Sequence, residues 1–196
     1  GTASELTAAL VTADTLVVAE TATANITDEA TTDIDATVLS AIGAKTSGAI
    51  TVTNAIDIAG TADEVTAALV TDDTLVVAST ATVTISDNPS ISALNAIAAK
   101  TDGVVTATLA ADSLSNLGAL TTAGTDVITI TVNDNAEADV TASDLSTLGG
   151  KTAGVVTVSN AVDISGTASE LTAALVTADT LVVAGTATAN ITDEAT

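Results

Sequence analysis

Short apolar stretches interleaved with threonine recur along the chain: Leu16-Val17-Val18-Ala19, Ala49 to Thr53, Leu75 to Ala78, Val104 to Thr108, Val127 to Val132 and Val155 to Ser159. β-branched side chains alternating in period two suit a half-buried strand, so each stretch predicts one. A second short apolar segment also recurs, ending at Ile26, Ile58, Ile85, Leu114, Val140, Ile164 and Ile191. The period then lengthens. Val65, Ala68 and Leu69, Leu145 and Leu148, and Leu171, Ala174 and Leu175 fall at helical spacing and predict short helices with one apolar face.

The helix starts are marked by Thr61-Ala62-Asp63-Glu64 and Thr167-Ala168-Ser169-Glu170. A threonine hydroxyl there can accept from the third backbone N–H while the glutamate reaches back to the threonine's own N–H. Pro89 follows Asp87 and Asn88 and suits a first helical position. Gly48, Gly103 and Gly154 sit in K-T-x-G strings that predict a turn into the next strand. The unit implied is strand, strand, helix, turn.

These units repeat. Residues 166–196 copy residues 1–31 with one difference, Glu20 against Gly185. Shorter units start at Thr15, Thr46, Thr74, Thr101, Thr125, Thr152 and Thr180, about 27 residues apart. The first, third and fifth end in Lys45, Lys100 and Lys151, the only basic residues of the chain. Periods of this size mark units too small to bury their own apolar face, which they cover with their neighbours. The expected fold is therefore an α/β solenoid, with parallel strands stacked coil on coil and one short helix per repeat. The alternative is an all-β parallel β-helix. Residues 1–196 are expected to form a single repeat segment of a longer chain.

Composition shapes the core and removes most chemistry. Phe, Trp, Tyr, Met, Cys and His are all absent, so the core is Ala, Val, Ile and Leu. Without His or Cys, the catalytic triads and zinc sites built on them are excluded, and no catalytic residue is assigned. Paired carboxylates could still act on polysaccharide, but the repeat spreads its acids evenly. The expectation is no enzyme. A formal charge of −22 argues against nucleic acid and anionic membrane surfaces as partners. No apolar run is long enough to span a membrane.

Four patterns are candidates for function. Gly149-Gly150-Lys151-Thr152 and Gly43-Ala44-Lys45-Thr46 resemble part of a phosphate loop, but Leu145 stands where that motif needs its first glycine, so both read as turns. Asp57, Asp139 and Asp163 take equivalent places, with Asn25 and Thr84 substituting elsewhere. Stacked carboxylates repel unless salt or a cation relieves them, so Ca²⁺ is the one cofactor these positions would admit, although no strict calcium-loop spacing occurs and no metal ligand is assigned. T-x-T or T-x-S strings, such as Thr51 with Thr53 and Thr157 with Ser159, suggest hydroxyl rows like those of ice-binding solenoids. Val17, Val76, Ala19 and Ala78 break those rows. Asn54 and Asn160 are placed to cap backbone groups at a corner.

Strings such as AITVTNAIDIAGTADEVTAAL and TLVVASTATVTISDN, dominated by Thr, Ala, Val and Asp, resemble the repeats of giant cell-surface proteins of marine cyanobacteria and related bacteria. That resemblance implies a secreted, cell-surface, filamentous or adhesive protein, and it carries no functional residue. The functional expectation is an extracellular structural segment of a stalk, surface layer or filament that associates with itself or with neighbouring repeats. A Ca²⁺-dependent adhesion module is the first alternative and an ice-binding solenoid the remote one.

Overall fold

The computed structural model describes residues 1–12, 14, 17–180 and 182–193. Thr15 and Leu16, where the first predicted unit and strand begin, lie outside the described residues. The chain divides into two units, residues 1–89 with 93–107 and residues 90–92 with 108–196.

The first unit runs α1 (Ala3–Leu10), β1 (Ala24–Ile26), β2 (Asp33–Asp35), α2 (Ala36–Gly43), β3 (Ile50–Val52), β4 (Asp57–Gly60) and α3 (Ala62–Leu69). A 3₁₀ turn at Asp72–Thr74 leads to β5 (Val76–Val77), β6 (Thr82–Ile85), most of α4 (Ile91–Ala98) and most of β7 (Val105–Thr108). β1, β3 and β5 pair in parallel in that order, and so do β2, β4, β6 and β7. The register lines up Ile34, Ile58, Val83 and Val105 in one row. All four are buried, as apolar rows of a parallel sheet covered by helices must be.

The second unit runs α5 (Leu114–Leu117), β8 (Val127–Val132), β9 (Asp139–Thr141), α6 (Ala142–Gly149), β10 (Val156–Val158), β11 (Asp163–Gly166) and α7 (Ala168–Leu175). A 3₁₀ turn at Ala178–Thr180, β12 (Val182–Val183) and β13 (Thr188–Ile191) complete it. β8, β10 and β12 pair in parallel, as do β9, β11 and β13. Ile130, Val156 and Val182 form one buried row. The helices bury most of the positions that their spacing predicts, including Val65, Ala68 and Leu69 in α3, Leu145 and Leu148 in α6, and Leu171 and Ala174 in α7, where Leu175 is half-buried.

This is an α/β arrangement of parallel ladders, of three and four strands in the first unit and three and three in the second, with seven α-helices among the described residues. It corrects the expected solenoid, and the seven helices also overturn the all-β parallel β-helix. A coil-on-coil stack requires first strands to pair only with first strands and second with second. β6, a second strand, pairs with the second strand β4 on one side and with the first strand β7 on the other. β1 likewise pairs with the first strand β3. Strands thus cross between ladders, and no single closed turn is repeated from unit to unit.

Smaller expectations are corrected by the same registers. Ile26 pairs with Val52, and the residue opposite Ile58 is Ile34, from the unpredicted strand β2. Leu114 opens a helix instead of ending a strand, and α4 begins two residues beyond Pro89.

Candidate functional site

The four N–H groups at a helix start have no partner within the helix. At α3 the predicted capping box is formed: the Glu64 carboxylate accepts from Thr61 N–H and the Thr61 hydroxyl accepts from Glu64 N–H, at 2.8 and 3.3 Å. The N–H between them, that of Ala62, donates to Asp87 at 2.8 Å, a carboxylate 25 residues further on. The same bond recurs from Ala3 to Asp28 at 2.6 Å, from Leu114 to Asp134 at 2.7 Å and from Ala168 to Asp193 at 2.7 Å. Each of these aspartates stands two residues after a strand, in Ile26-Thr27-Asp28, Ile85-Ser86-Asp87, Val132-Asn133-Asp134 and Ile191-Thr192-Asp193. That spacing was the available signal, and the sequence reading assigned these aspartates no capping role. Box and aspartate together satisfy a helix start and place negative charge at the positive end of its dipole. Asp87→Ala is expected to destabilise the first unit by about 1 kcal/mol, read as a lowered urea midpoint at unchanged m-value.

At α1 the same geometry acts on Glu5. Hydrogen bonds from the Thr2 backbone N–H, then from its hydroxyl, hold the Glu5 carboxyl below its ordinary value. A carboxyl lowered in the folded chain stabilises above its unfolded pKa, and that contribution is lost as pH falls through the folded one.

The asparagines serve the same corners. Asn54 donates to the Asp28 carbonyl at 2.7 Å, and Asn160 donates to the Asp134 carbonyl at 2.7 Å. These aspartates therefore hold a helix start through the carboxylate and receive the next repeat's asparagine through the backbone.

The K-T-x-G strings are turns, and the threonine and glycine that recur in them are structural. Thr46 donates to the Ala22 carbonyl, Thr101 to that of Ala81, and Thr152 to those of Asp126 and Ile128. Each of these hydroxyls also accepts from the glycine two residues on. Gly43 and Gly149 lie against the carbonyls of Thr74 and Thr180. That packs α2 and α6 on the 3₁₀ turns and leaves no phosphate cradle.

The candidate cation positions fall in two ladders. Asp33 faces Asp57, which faces Thr82, and Asp139 faces Asp163, which faces Thr188. The Thr82 hydroxyl donates to Asp57. Asn25 and Thr84 are not substitutes in these rows, since they face Thr51 and Ala59. No group of three or more acidic side chains is arranged to hold a metal ion among the described residues. Like charges facing each other across strands cost up to about 1 kcal/mol, and salt screens them. Asp163→Asn is accordingly expected to stabilise the second unit by about 0.5 kcal/mol in dilute buffer. Denaturation repeated at about 1 M NaCl, where the Debye length is near 3 Å, should erase the difference.

Each unit has a cleft that contains some of these acids. One of about 430 Å³ is bounded by Leu114, Asp134, Asp139, Asp144, Thr147 and Lys151. Lys151 donates there to the Gly118 carbonyl at 2.8 Å, and Asp134 is committed to α5. The other, about 520 Å³, lies beside α1 and includes Asp28, Asp33 and Asp35. Its Asp28 and Asp33 repeat the roles of Asp134 and Asp139, so both clefts are grooves of the repeat. The threonine rows are equally committed. Thr53 and Ser159 donate to the strand-end carbonyls of Ile26 and Val132, and Val77 follows Thr51 in its row while Val183 follows Thr157.

No helix of the described residues is long and apolar enough to cross a membrane. No family model, no curated protein and no solved structure matches this chain.

Proposed function

We propose that this chain is an extracellular structural repeat segment, a length of stalk, surface layer or filament whose role is to extend and associate. The observation that supports the reading is where its polar side chains are spent. Asp28, Asp87, Asp134 and Asp193 each hold the helix of the preceding repeat. The turn threonines and the corner asparagines hold backbone carbonyls in the same repeating manner. Residues that could carry chemistry are used to join one repeat to the next, which is the property a spacer needs. The likeness to giant bacterial surface repeats points the same way. Immunogold electron microscopy of producing cells, with antibody raised against this chain, should label a continuous coat or filaments outside the cell. Label confined to the cell interior would overturn the reading.

A cation-dependent adhesion module is the second reading, favoured by the facing pairs Asp33 with Asp57 and Asp139 with Asp163. Calorimetric titration with Ca²⁺ separates the two. Site binding saturates at a fixed number of ions per repeat, whereas a spacer gives weak heats that NaCl abolishes.

A further inference from the structure

The charge of this chain is sorted between its ladders. Asp139 in β9 and Asp163 in β11 stand outward, with Thr141 and Ser165 beside them, while Val140 and Ile164 are buried. In the first unit Asp33, Asp35 and Asp57 stand outward in the same way around Ile34 and Ile58. The ladder of β8, β10 and β12 is different. Its outward residues on β8 are Val127, Thr129 and Thr131, which alternate with buried Ile128, Ile130 and Val132. The register carries one row through Thr131, Thr157 and Val183, and Val155 and Ser159 flank Thr157 along β10. None of these outward residues is charged, although the chain has 25 acidic residues. Nor is the face open for want of a neighbouring strand: β10 is paired on both sides, by β8 and by β12, and Val155 is still 57% exposed.

We propose that the outward face of β8, β10 and β12 is a docking surface for the same face of a second copy of this chain, the two sheets packing front to front. The inference rests on the self-associating structural reading above and names its surface. Charge selects the occupant. A cationic partner would find its complement on the acid-bearing ladder, whereas two copies that each carry −22 can approach closely only where neither presents carboxylates.

The strands also suit packing against themselves. Val127-Ile128-Thr129-Ile130-Thr131-Val132 is β-branched throughout and has no charge, proline or glycine, the composition from which paired sheets interdigitate. Sheets packed this way lie about 10 Å apart. Their β-branched side chains have few rotamers left to lose on contact. A face that meets its own copy forms a closed two-fold pair. The first unit has the equivalent row Asn25, Thr51 and Val77, but the cleft beside Val77 is lined by Glu20, Asp72 and Asp73. In the second unit Asp126 takes the place of Glu20 and is buried, with its carboxylate on the Ala123 N–H at 2.9 Å. Ala178 replaces Asp72, so of the three acids only Asp179 keeps its place. The few side chains of this face make a small contact, at the weak end of specific interfaces.

The test is sedimentation velocity of the 196-residue chain over a range of protein concentrations, in dilute buffer and at about 1 M NaCl. Wild type should form reversible dimers, and salt should tighten them, because a Debye length near 3 Å screens the repulsion between two acidic copies and spares an uncharged contact. Val155→Lys, at an exposed position, should keep the urea midpoint and weaken association roughly tenfold, since the ammonium would be buried between two sheets without a partner. Thr129→Lys, on another strand of the same face, should reproduce the loss. Both changes lower the net negative charge, so general repulsion cannot explain it. Ser165→Lys changes the charge equally on the acid-bearing ladder and should leave association at least as strong. Wild type that stays monomeric at every concentration and salt overturns the pairing and leaves the face to a different occupant, while surface imaging still decides the structural reading by itself. Undiminished association of Val155→Lys and Thr129→Lys overturns it too, as does an equal loss in Ser165→Lys, which would mean that the copies meet elsewhere.

Discussion

Gly103→Ala is expected to destabilise the first unit by about 3 kcal/mol or more, above the usual range for an added methyl in a packed core. A Cβ built on Gly103 lies 2.2 Å from the Ala81 carbonyl oxygen, 2.6 Å from its carbon and 3.0 Å from Thr82 N. All three are backbone atoms, so no side-chain rotation clears the clash. Backbone conformation is not the reason for glycine, since none of the glycines has a positive φ. The requirement is close approach: the turn after α4 must lie on the segment entering β6 for Thr101 to reach the Ala81 carbonyl at 2.5 Å. Opening the turn to admit a methyl would break that bond as well. Gly185→Ala is the matched control, because nothing lies within 4 Å of a Cβ there. It should shift stability by no more than about 0.5 kcal/mol. Urea denaturation of both variants at equal protein concentration checks the pair, and equal midpoints would show that the turn can open without cost.

The turn, the capping boxes at Thr61 and Thr167 and the apolar helix faces were legible because each is a local pattern with a local cause. A threonine three residues before a glutamate caps whatever helix follows, wherever that helix packs. Strand pairing was not legible in the same way. Thr82-Val83-Thr84-Ile85 and Val105-Thr106-Ala107-Thr108 alternate with the same period, and nothing in either string states that they are neighbours. That pairing carries β6 from one kind of strand to the other and turns the expected uniform coil into separate sheets. β2 was missed because Asp33-Ile34-Asp35 has one apolar residue between two acids. Its strand character comes from the buried row that Ile34 shares with Ile58, an instance of β preference set by context. The capping aspartates were visible as residue types but not as partners, since their bonds span about 25 residues.

Thr152→Val tests the most buried hydroxyl of the repeat. Thr152 is 4% exposed, and its hydroxyl accepts from Ile128 N–H and Gly154 N–H, both at 2.7 Å. It donates toward the carbonyls of Asp126 and Ile128, at 3.0 and 2.9 Å. Valine keeps the shape and removes all of these bonds. Ile128 is fully buried, so its N–H is left without a partner away from water, at about 1–3 kcal/mol, with a further loss at Gly154. The expected total is about 3 kcal/mol, read as a lowered urea midpoint of the second unit. Thr152→Ser keeps the hydroxyl and should recover most of it. Thr46 fills the same place in the first unit but is only half-buried, so water can serve the groups that Thr46→Val abandons, and about 1 kcal/mol is expected there. The ordering of the three variants distinguishes a hydrogen-bond role from simple packing: if Thr152→Ser were as damaging as Thr152→Val, the lost methyl and not the hydroxyl would be what holds the turn.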